Sequence, residues 1–445
     1  QLSPGHLIKI KFYDENKYKK KIIPSQIEWY SPQKKSLLVS KIQDPHNELE
    51  DIETLDKKLS ASVKEQTISD VPIGTFLSGG IDSSLVTSLL QFQSKIPINT
   101  FTIAFHDSNN NSVENFNEAP YAKKISQYLG TNHSEISLSP LDVKNIVPQI
   151  ANIYSEPFSD SSQIPTALIC KFTKMAGITV ALTGDGSDEL FGGYNRHFLA
   201  PKIYKYFNSV PTLFKKLLTK NLRLLPISSS ANKEIAKQKL TKAILNSNNI
   251  NLIYDALLSN SLFKPQEILN PNLNFDIDIN KLPEAKSLNE KIMLADAQGY
   301  LNADILTKVD RASMWNSLET RAPFLDHEIA EFAWSLPITS KIRNNGIKWE
   351  SKWILRQILY KYIPKKLLDR PKAGFALPIG EWLRGPLRGW AEDLISTSLN
   401  HNYNYINSKF IRKIWMEHLS RKNDHSQLLW SILIWKSWLD EWNYS

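Results

Sequence analysis

The densest chemistry in the chain lies between Val71 and Ser84, where an apolar run ending at Leu77 meets Ser78, Gly79, Gly80, Asp82, Ser83 and Ser84. Two adjacent glycines can take backbone angles closed to other residues and let a ligand approach the main chain. A helix predicted from about Ser83 to Gln91 would turn its unpaired N–H groups and positive dipole end toward the same loop. The serine hydroxyls add donors. Asp82 only accepts, and would repel a phosphate unless a divalent cation stood between them. Residue types in this order describe a cradle for phosphate and Mg2+. A P-loop of the G-x-x-x-x-G-K-[ST] kind is excluded, because the sequence contains no Gly-Lys-Ser or Gly-Lys-Thr.

A second loop, T-G-D-G-S-D-E-L-F-G-G-Y from Thr183 to Tyr194, packs three acids and four glycines into twelve residues. It is not a dinucleotide fingerprint, since G-x-G-x-x-G would need glycine where Glu189 stands. Asp185, Asp188 and Glu189 repel one another at this spacing unless cations or ammonium groups neutralise them. Further along, Arg311 and Arg321 carry the guanidinium group suited to bidentate contact with carboxylates or phosphates.

The elements that position these loops follow from pattern. Apolar strands are expected at 71–77, 99–105, 133–138 and 178–183, alternating with helices at about 48–67, 118–129, 141–154 and 162–176. Such alternation implies a doubly wound α/β fold with a mostly parallel sheet. Ligands in these sheets sit beyond the carboxyl ends of the strands, where strand order reverses. That places Ile103, Thr183 and Gly184, with Leu77 packed beneath, around a nucleotide pocket. Residues 201–290 read as a helical insertion broken by Pro265, Pro271 and Pro283. Residues 291–445 read as a helical C-terminal part whose stripe Leu428, Ile432, Trp435, Leu439 and Trp442 belongs to a core. The opening stretch 1–35 reads as a short β piece, too small to be stable alone, and 48–200 as the α/β core.

Composition narrows the function classes. With 445 residues, 42% hydrophobic and 22% charged, the chain is neither fibrous nor disordered. A net charge of +9 is spread widely, with no basic, aromatic-interleaved groove for nucleic acid, though it favours a polyanionic substrate such as ATP. The one cysteine, Cys170, excludes internal disulfides and reads as a core thiol. No apolar run reaches the length of about 18 residues needed to cross a membrane, and no signal-peptide core is present. A cytoplasmic protein is the expectation.

S-G-G-I-D-S-S resembles the pyrophosphate loop of the ATP pyrophosphatase enzymes, which cleave ATP to AMP and pyrophosphate. Followed by T-G-D-G-S-D-E-L-F-G-G-Y, it is similar to the synthetase domain of asparagine synthetase and of its relative β-lactam synthetase. The likeness continues through D-I-L-T-K-V-D-R-A-S-M at 304–314, E-T-R-A-P-F-L-D at 319–326 and R-P-K-A-G-F at 370–375. It implies ATP and Mg2+, with Asp82 and Asp188 as metal ligands and Ser78 to Ser84 around the phosphates. It further implies Asp185, Glu189, Arg311 and Lys372 as catalytic groups, and Tyr194 and Arg321 on the substrate; from its surroundings alone Lys372 would read as a surface residue. The substrates implied are aspartate, ATP and ammonia, and a homodimer is left open. Residues 1–32 look like the tail of the family's glutaminase domain, whose nucleophile is an N-terminal cysteine. Position 1 here is glutamine, so the expectation is that this chain does not hydrolyse glutamine and that a glutaminase domain or subunit would lie elsewhere. Two departures touch the substrate's identity: Asp185 where members often have glutamate, and Arg311 where some have lysine. An amide-forming ligase of the β-lactam synthetase kind is the alternative, ahead of a tRNA-modifying relative.

Overall fold

The computed structural model describes residues 2–14, 20–31, 34, 47–105, 117–224, 231–259, 263, 265–269, 282–344, 346, 349–368, 378–397 and 405–442. Strands β1 (His6–Asp14) and β2 (Lys20–Glu28) form an antiparallel hairpin pairing His6 with Glu28. Helix α1 (Glu48–Glu65) starts where the Asn47 side chain accepts from the Leu49 N–H, with Glu48, Glu50 and Asp51 at its positive end. It buries Leu55, Leu59 and Val63 completely. Each such side chain contributes about 1.5–3 kcal/mol of transfer free energy.

The chain then runs β3 (Ile73–Phe76), α2 (Ile81–Gln93), β4 (Asn99–Phe105), α3 (Ala119–Leu129), β5 (Asn132–Leu138), α4 (Gln163–Met175), β6 (Val180–Leu182) and α5 (Ser187–Phe191). Gly130 ends α3 in the left-handed conformation at φ 72°, as a helix-terminating glycine should. Next come α6 (Arg196–Phe207), α7 (Ile250–Leu258) and α8 (Leu288–Ala295), which runs into a π-helical segment at Asp296–Leu306. The last parts that concern the site are α9 (Thr307–Trp315), β7 (Glu319–Arg321), α10 (Trp353–Tyr362) and α11 (Ser426–Trp442).

Five parallel strands make the central sheet, in the order β5-β4-β3-β6-β7. Successive strand residues face opposite sides, and β6 shows it: Ala181 joins one core and Leu182 the other. The first core packs Phe101 and Ile103 against Ile164 and Leu168 of α4 and Trp430 and Leu433 of α11. The second packs Leu77 and Leu182 against Leu55, Leu85, Leu355 and Ile358. Helices therefore cover both faces, which is the doubly wound arrangement, and both cores draw on the N- and C-terminal halves alike.

Local differences from the sequence reading have local causes. Helix α2 begins at Ile81 rather than Ser83, because Gly80 is its N-cap; Asp82 therefore sits in the first turn. The single helix expected over 141–154 is divided into Pro140–Ile146, a 3-10 turn Val147–Gln149 and Ile150–Tyr154. Pro148 lacks the N–H that would continue the ladder. The fourth strand is shorter than expected, and β7 was not anticipated at all.

Candidate active site

Chain order moves from β3 outward through β4 to β5, then returns to place β6 on the other side of β3. The reversal lies between β3 and β6, and their carboxyl ends carry the two acidic loops. Register holds them side by side: Thr75 pairs with Leu182, and the Thr75 hydroxyl donates to the Leu182 carbonyl at 3.1 Å.

In the first loop the backbone N–H of Ser78 donates to Ser83 Oγ (3.2 Å), and the Ser78 and Ser83 hydroxyls are 3.0 Å apart. Ser78 Oγ also accepts from the Gly80 N–H at 3.3 Å, tying the loop into a ring ahead of α2. Gly79 has φ 75°, and a Cβ there would stand 2.9 Å from the backbone nitrogen of Ala122. Only glycine meets both conditions. Ser84 is fully buried one turn into α2. Among the described residues no side chain caps α2, so its first N–H groups are left for a ligand.

The second loop approaches the first at Gly184. A Cβ on Gly184 would lie 2.8 Å from Asp82 Cβ and 3.0 Å from the Ser83 nitrogen, so the two loops touch through bare backbone. Left-handed glycines, Gly186 (φ 88°) and Gly192 (φ 71°), bracket the short helix α5. Its Asp188 and the Asp82 carboxylate converge on one ammonium group. Lys352 Nζ lies 2.6 Å from Asp82 Oδ2, 2.8 Å from Asp188 Oδ1 and 3.0 Å from Ser187 Oγ, using all three of its protons. Burial alone would depress this lysine, yet Asp188 and Asp82 hold it above its ordinary value. Lys352 itself has φ 55° at the start of α10, a strained conformation for a non-glycine residue. The pair is also why Gly193 must be glycine: a Cβ there would fall on Asp188 Oδ1. Sequence reasoning passed over Lys352, which follows K-W-E-S with no local signature.

Glu189 is buried, and its Oε1 accepts from the Tyr194 hydroxyl at 2.8 Å. Burial, with the Asp188 charge next, pushes its carboxyl up to about 7. Asp185, half-buried, is raised by burial and opposed by a hydrogen bond from Thr183. It opens with Thr183 onto a cavity of about 540 Å3 lined also by Asn302, Thr307, Asp310 and Arg321. The Tyr194 ring lies under the Arg196 guanidinium, 4.1 Å from its carbon, and Arg196 donates to Asp296 Oδ2 at 2.7 Å.

Among the other expected residues, Leu77 and Ile103 are buried at the ends of β3 and in β4, beside the loops. Arg321 lines the cavity, while its Nε donates to Glu319 (2.6 Å) and its Nη1 to the Gln66 and Ile68 carbonyls. Arg311 stands exposed on α9. Lys372 lies outside the described residues.

Mg2+ usually takes one or two protein carboxylates and completes its shell with phosphate oxygens and water. Asp82 and Asp188 match that habit. Asp82 Oδ1 is buried and accepts no hydrogen bond from a described residue, an oxygen suited to a cation. No group of three or more metal-ligating side chains occurs among the described residues, so phosphates and water would have to supply the remaining ligands. The residues present therefore fit the metal.

A family model, Asparagine synthase, matches residues 54–440. The chain belongs to the asparagine synthase family. It is 31% identical over 384 residues to Asparagine synthetase [glutamine-hydrolyzing] 1 of Bacillus subtilis, covering 85% of this chain and 57% of that protein. Identity to a putative asparagine synthetase [glutamine-hydrolyzing] of Mycobacterium bovis is 29%, over 85% of this chain and 56% of the relative. Amidase chry2 of Gibberella zeae is 24% identical over 82% of this chain and 58% of its own length. The chain thus spans just over half the length of these relatives. No helix among the described residues is long and apolar enough to cross a membrane.

Proposed function

We propose that the chain amidates L-aspartate through a β-aspartyl-AMP intermediate, releasing AMP and pyrophosphate, with ammonia as nitrogen donor and glutamine as its source in the complete protein. A cytoplasmic location and a glutaminase domain or subunit go with this reading. The observation that carries it is the meeting of two glycine-rich acidic loops at the strand reversal, locked together by Lys352 between Asp82 and Asp188.

Aspartate's side chain is already ionised, so activation needs no general base; it needs charge offset on the attacked α-phosphorus and the departing pyrophosphate. Ser78, Gly79, Gly80, Ser83 and Ser84 cradle the pyrophosphate at the positive end of α2, and Lys352 supplies a fixed cation beside it. Mg2+ held by Asp82 and Asp188 would neutralise phosphate charge. Leu77, Ile103, Thr183 and Gly184 bound the adenosine. Asp185 and Arg321 orient the attacking carboxylate in the cavity they border, Arg311 is assigned to the same step by the family likeness alone, and Tyr194 shapes the acceptor end. Lys372 offsets charge developing on the phosphoryl group. Amide formation liberates a proton, and Glu189, poised near 7, receives it.

Pyrophosphate release measured with each amino acid in turn, with and without ammonium, tests the reading. Aspartate with ammonium should give release and asparagine; release that ignores aspartate refutes it. Asp185→Ala should spare Mg·ATP binding and abolish aspartate-dependent release, whereas Asp188→Ala should weaken Mg·ATP binding itself. A metal ligand acts on ground and transition states alike, and an orienting carboxylate mainly on the latter. Calorimetric titration of Mg·ATP makes the comparison, and equal loss in both variants refutes the division of labour.

A further inference from the structure

The helix Thr212–Leu224 lies with polar residues inward and apolar residues outward. Lys215 and Thr219 are buried, and the Thr219 hydroxyl donates to the Lys215 carbonyl at 2.8 Å. Leu213, Phe214, Leu217 and Leu218 are instead 68%, 63%, 53% and 41% exposed. At 3.6 residues per turn these four share one side of the helix, and the exposed Lys216 and Lys220 run along its border. The helix packs on Ala231–Leu245. None of the four apolar side chains joins the core that Ala200, Ile203, Ala243 and Ile253 build there, nor either core beside the sheet. A contiguous exposed patch of this kind marks an interaction surface.

Charge says what the surface fits. Between Glu189 and Glu234 the sequence has eight lysines and arginines and no aspartate or glutamate, whereas the whole chain has 54 basic residues against 45 acidic. Lys205 is exposed near the end of α6, with its ammonium 5.9 Å from the centre of the exposed Tyr206 ring. Two copies of the chain meeting through this face would set the same lysines against each other with no acid from the stretch between them. A nucleic acid would take up the lysines and leave the leucines in water. A bilayer carrying anionic lipid accepts both. Its acyl boundary takes the leucines and Phe214, and its headgroups take the lysines, whose long stems reach over the apolar border.

We propose that the helix Thr212–Leu224 is a membrane-surface anchor, lying in the interface of a bilayer rich in anionic lipid. Leu213, Phe214, Leu217 and Leu218 enter the acyl boundary, and Lys205, Lys216 and Lys220 sit on the headgroups. The association is peripheral and reversible, as one amphipathic helix allows. It holds the nucleotide site beside a lipid surface without any segment crossing it. The inference goes beyond the proposed reaction and does not depend on it.

Co-sedimentation of the full chain with vesicles tests it, one set made of equal parts phosphatidylcholine and phosphatidylglycerol and another of phosphatidylcholine alone. The chain should sediment with the mixed vesicles, at least about tenfold more weakly with phosphatidylcholine alone, and come off the mixed set as salt is raised. Phe214→Gln together with Leu217→Gln should weaken binding to mixed vesicles at least about tenfold and leave the Tm unchanged, since both side chains are exposed. Lys216→Gln together with Lys220→Gln should cost about tenfold on mixed vesicles and nothing on phosphatidylcholine. A wild-type chain that stays in solution with mixed vesicles overturns the anchor. So does full binding by the Phe214→Gln, Leu217→Gln variant, which would leave only lysine attraction. A dimer seen in size-exclusion chromatography without lipid, and lost in that variant, would give the face to a second copy and overturn it equally. The assay contains neither ATP nor aspartate, so its result stands apart from that of the pyrophosphate assay.

Discussion

Gly184→Ala is the sharpest test of how the two loops meet. The added Cβ would stand 2.8 Å from Asp82 Cβ and 3.0 Å from both the Asp82 carbonyl carbon and the Ser83 nitrogen. Carbon atoms rest at about 3.5–4.0 Å, so the loops must part by something near 1 Å. Two of the three atoms are backbone at the start of α2, which cannot swing aside as a side chain would. Overpacking of this kind costs about 1–3 kcal/mol of stability. A displacement of about 1 Å in a catalytic array costs on the order of 100-fold in rate. Gly130→Ala is the control: its φ of 72° makes alanine strained, but nothing lies within 4 Å of the new Cβ. Both variants should therefore lose stability in thermal unfolding, and only Gly184→Ala should lose aspartate-dependent pyrophosphate release by about 100-fold. Wild-type turnover in a folded Gly184→Ala protein would refute the account of loop contact.

Lys352→Met should leave Asp82 and Asp188 facing each other without a cation, costing about 3–5 kcal/mol of stability; chemical denaturation at neutral pH measures it, and an unchanged midpoint sinks the idea. Asp82→Asn should cut ATP cleavage at least about 100-fold, the scale for loss of a charge-stabilising group; retained pyrophosphate release would remove Asp82 from the metal site. Lys341 is fully buried, its ammonium 4.8 Å from the centre of the Trp334 ring, and burial depresses it from 10.5 to about 7. The unfolded chain therefore binds more protons than the folded one between pH 7 and 10.5, and stability rises with pH through that window. Lys341→Met should raise the Tm at pH 7, by a margin that shrinks toward pH 10; a margin independent of pH would refute this.

What could be read from the sequence was whatever is local. Strand periodicity and the glycine-acid-serine order gave the parallel sheet and both loops, because each depends on residues adjacent in the chain. Lys352 was illegible for the opposite reason. Its role comes from closing a contact with Asp82, 270 positions away, and nothing in its neighbours encodes that distance. Strand β7 was missed because Glu319–Arg321 is three residues long and two of the three are charged, a pattern that reads as a loop. The ion pair of Asp160 and Lys308 was hidden similarly: both look like ordinary surface residues until α4 and α9 are packed.

Strand β7 also bears on how the molecule is assembled in time. Its backbone fixes the second loop directly, since the Thr183 N–H donates to the Arg321 carbonyl at 2.8 Å. During synthesis β6 emerges long before its neighbour, because all of α6, α7, α8 and α9 must follow first. Until then one edge of β6 is open, the kind of unpaired edge that invites association with other chains. Closing so distant a pairing is slow on topological grounds. A nascent chain that stops before Glu319 would therefore carry both acidic loops yet hold the second unanchored, so a strand translated well after both loops decides when the second is fixed in place.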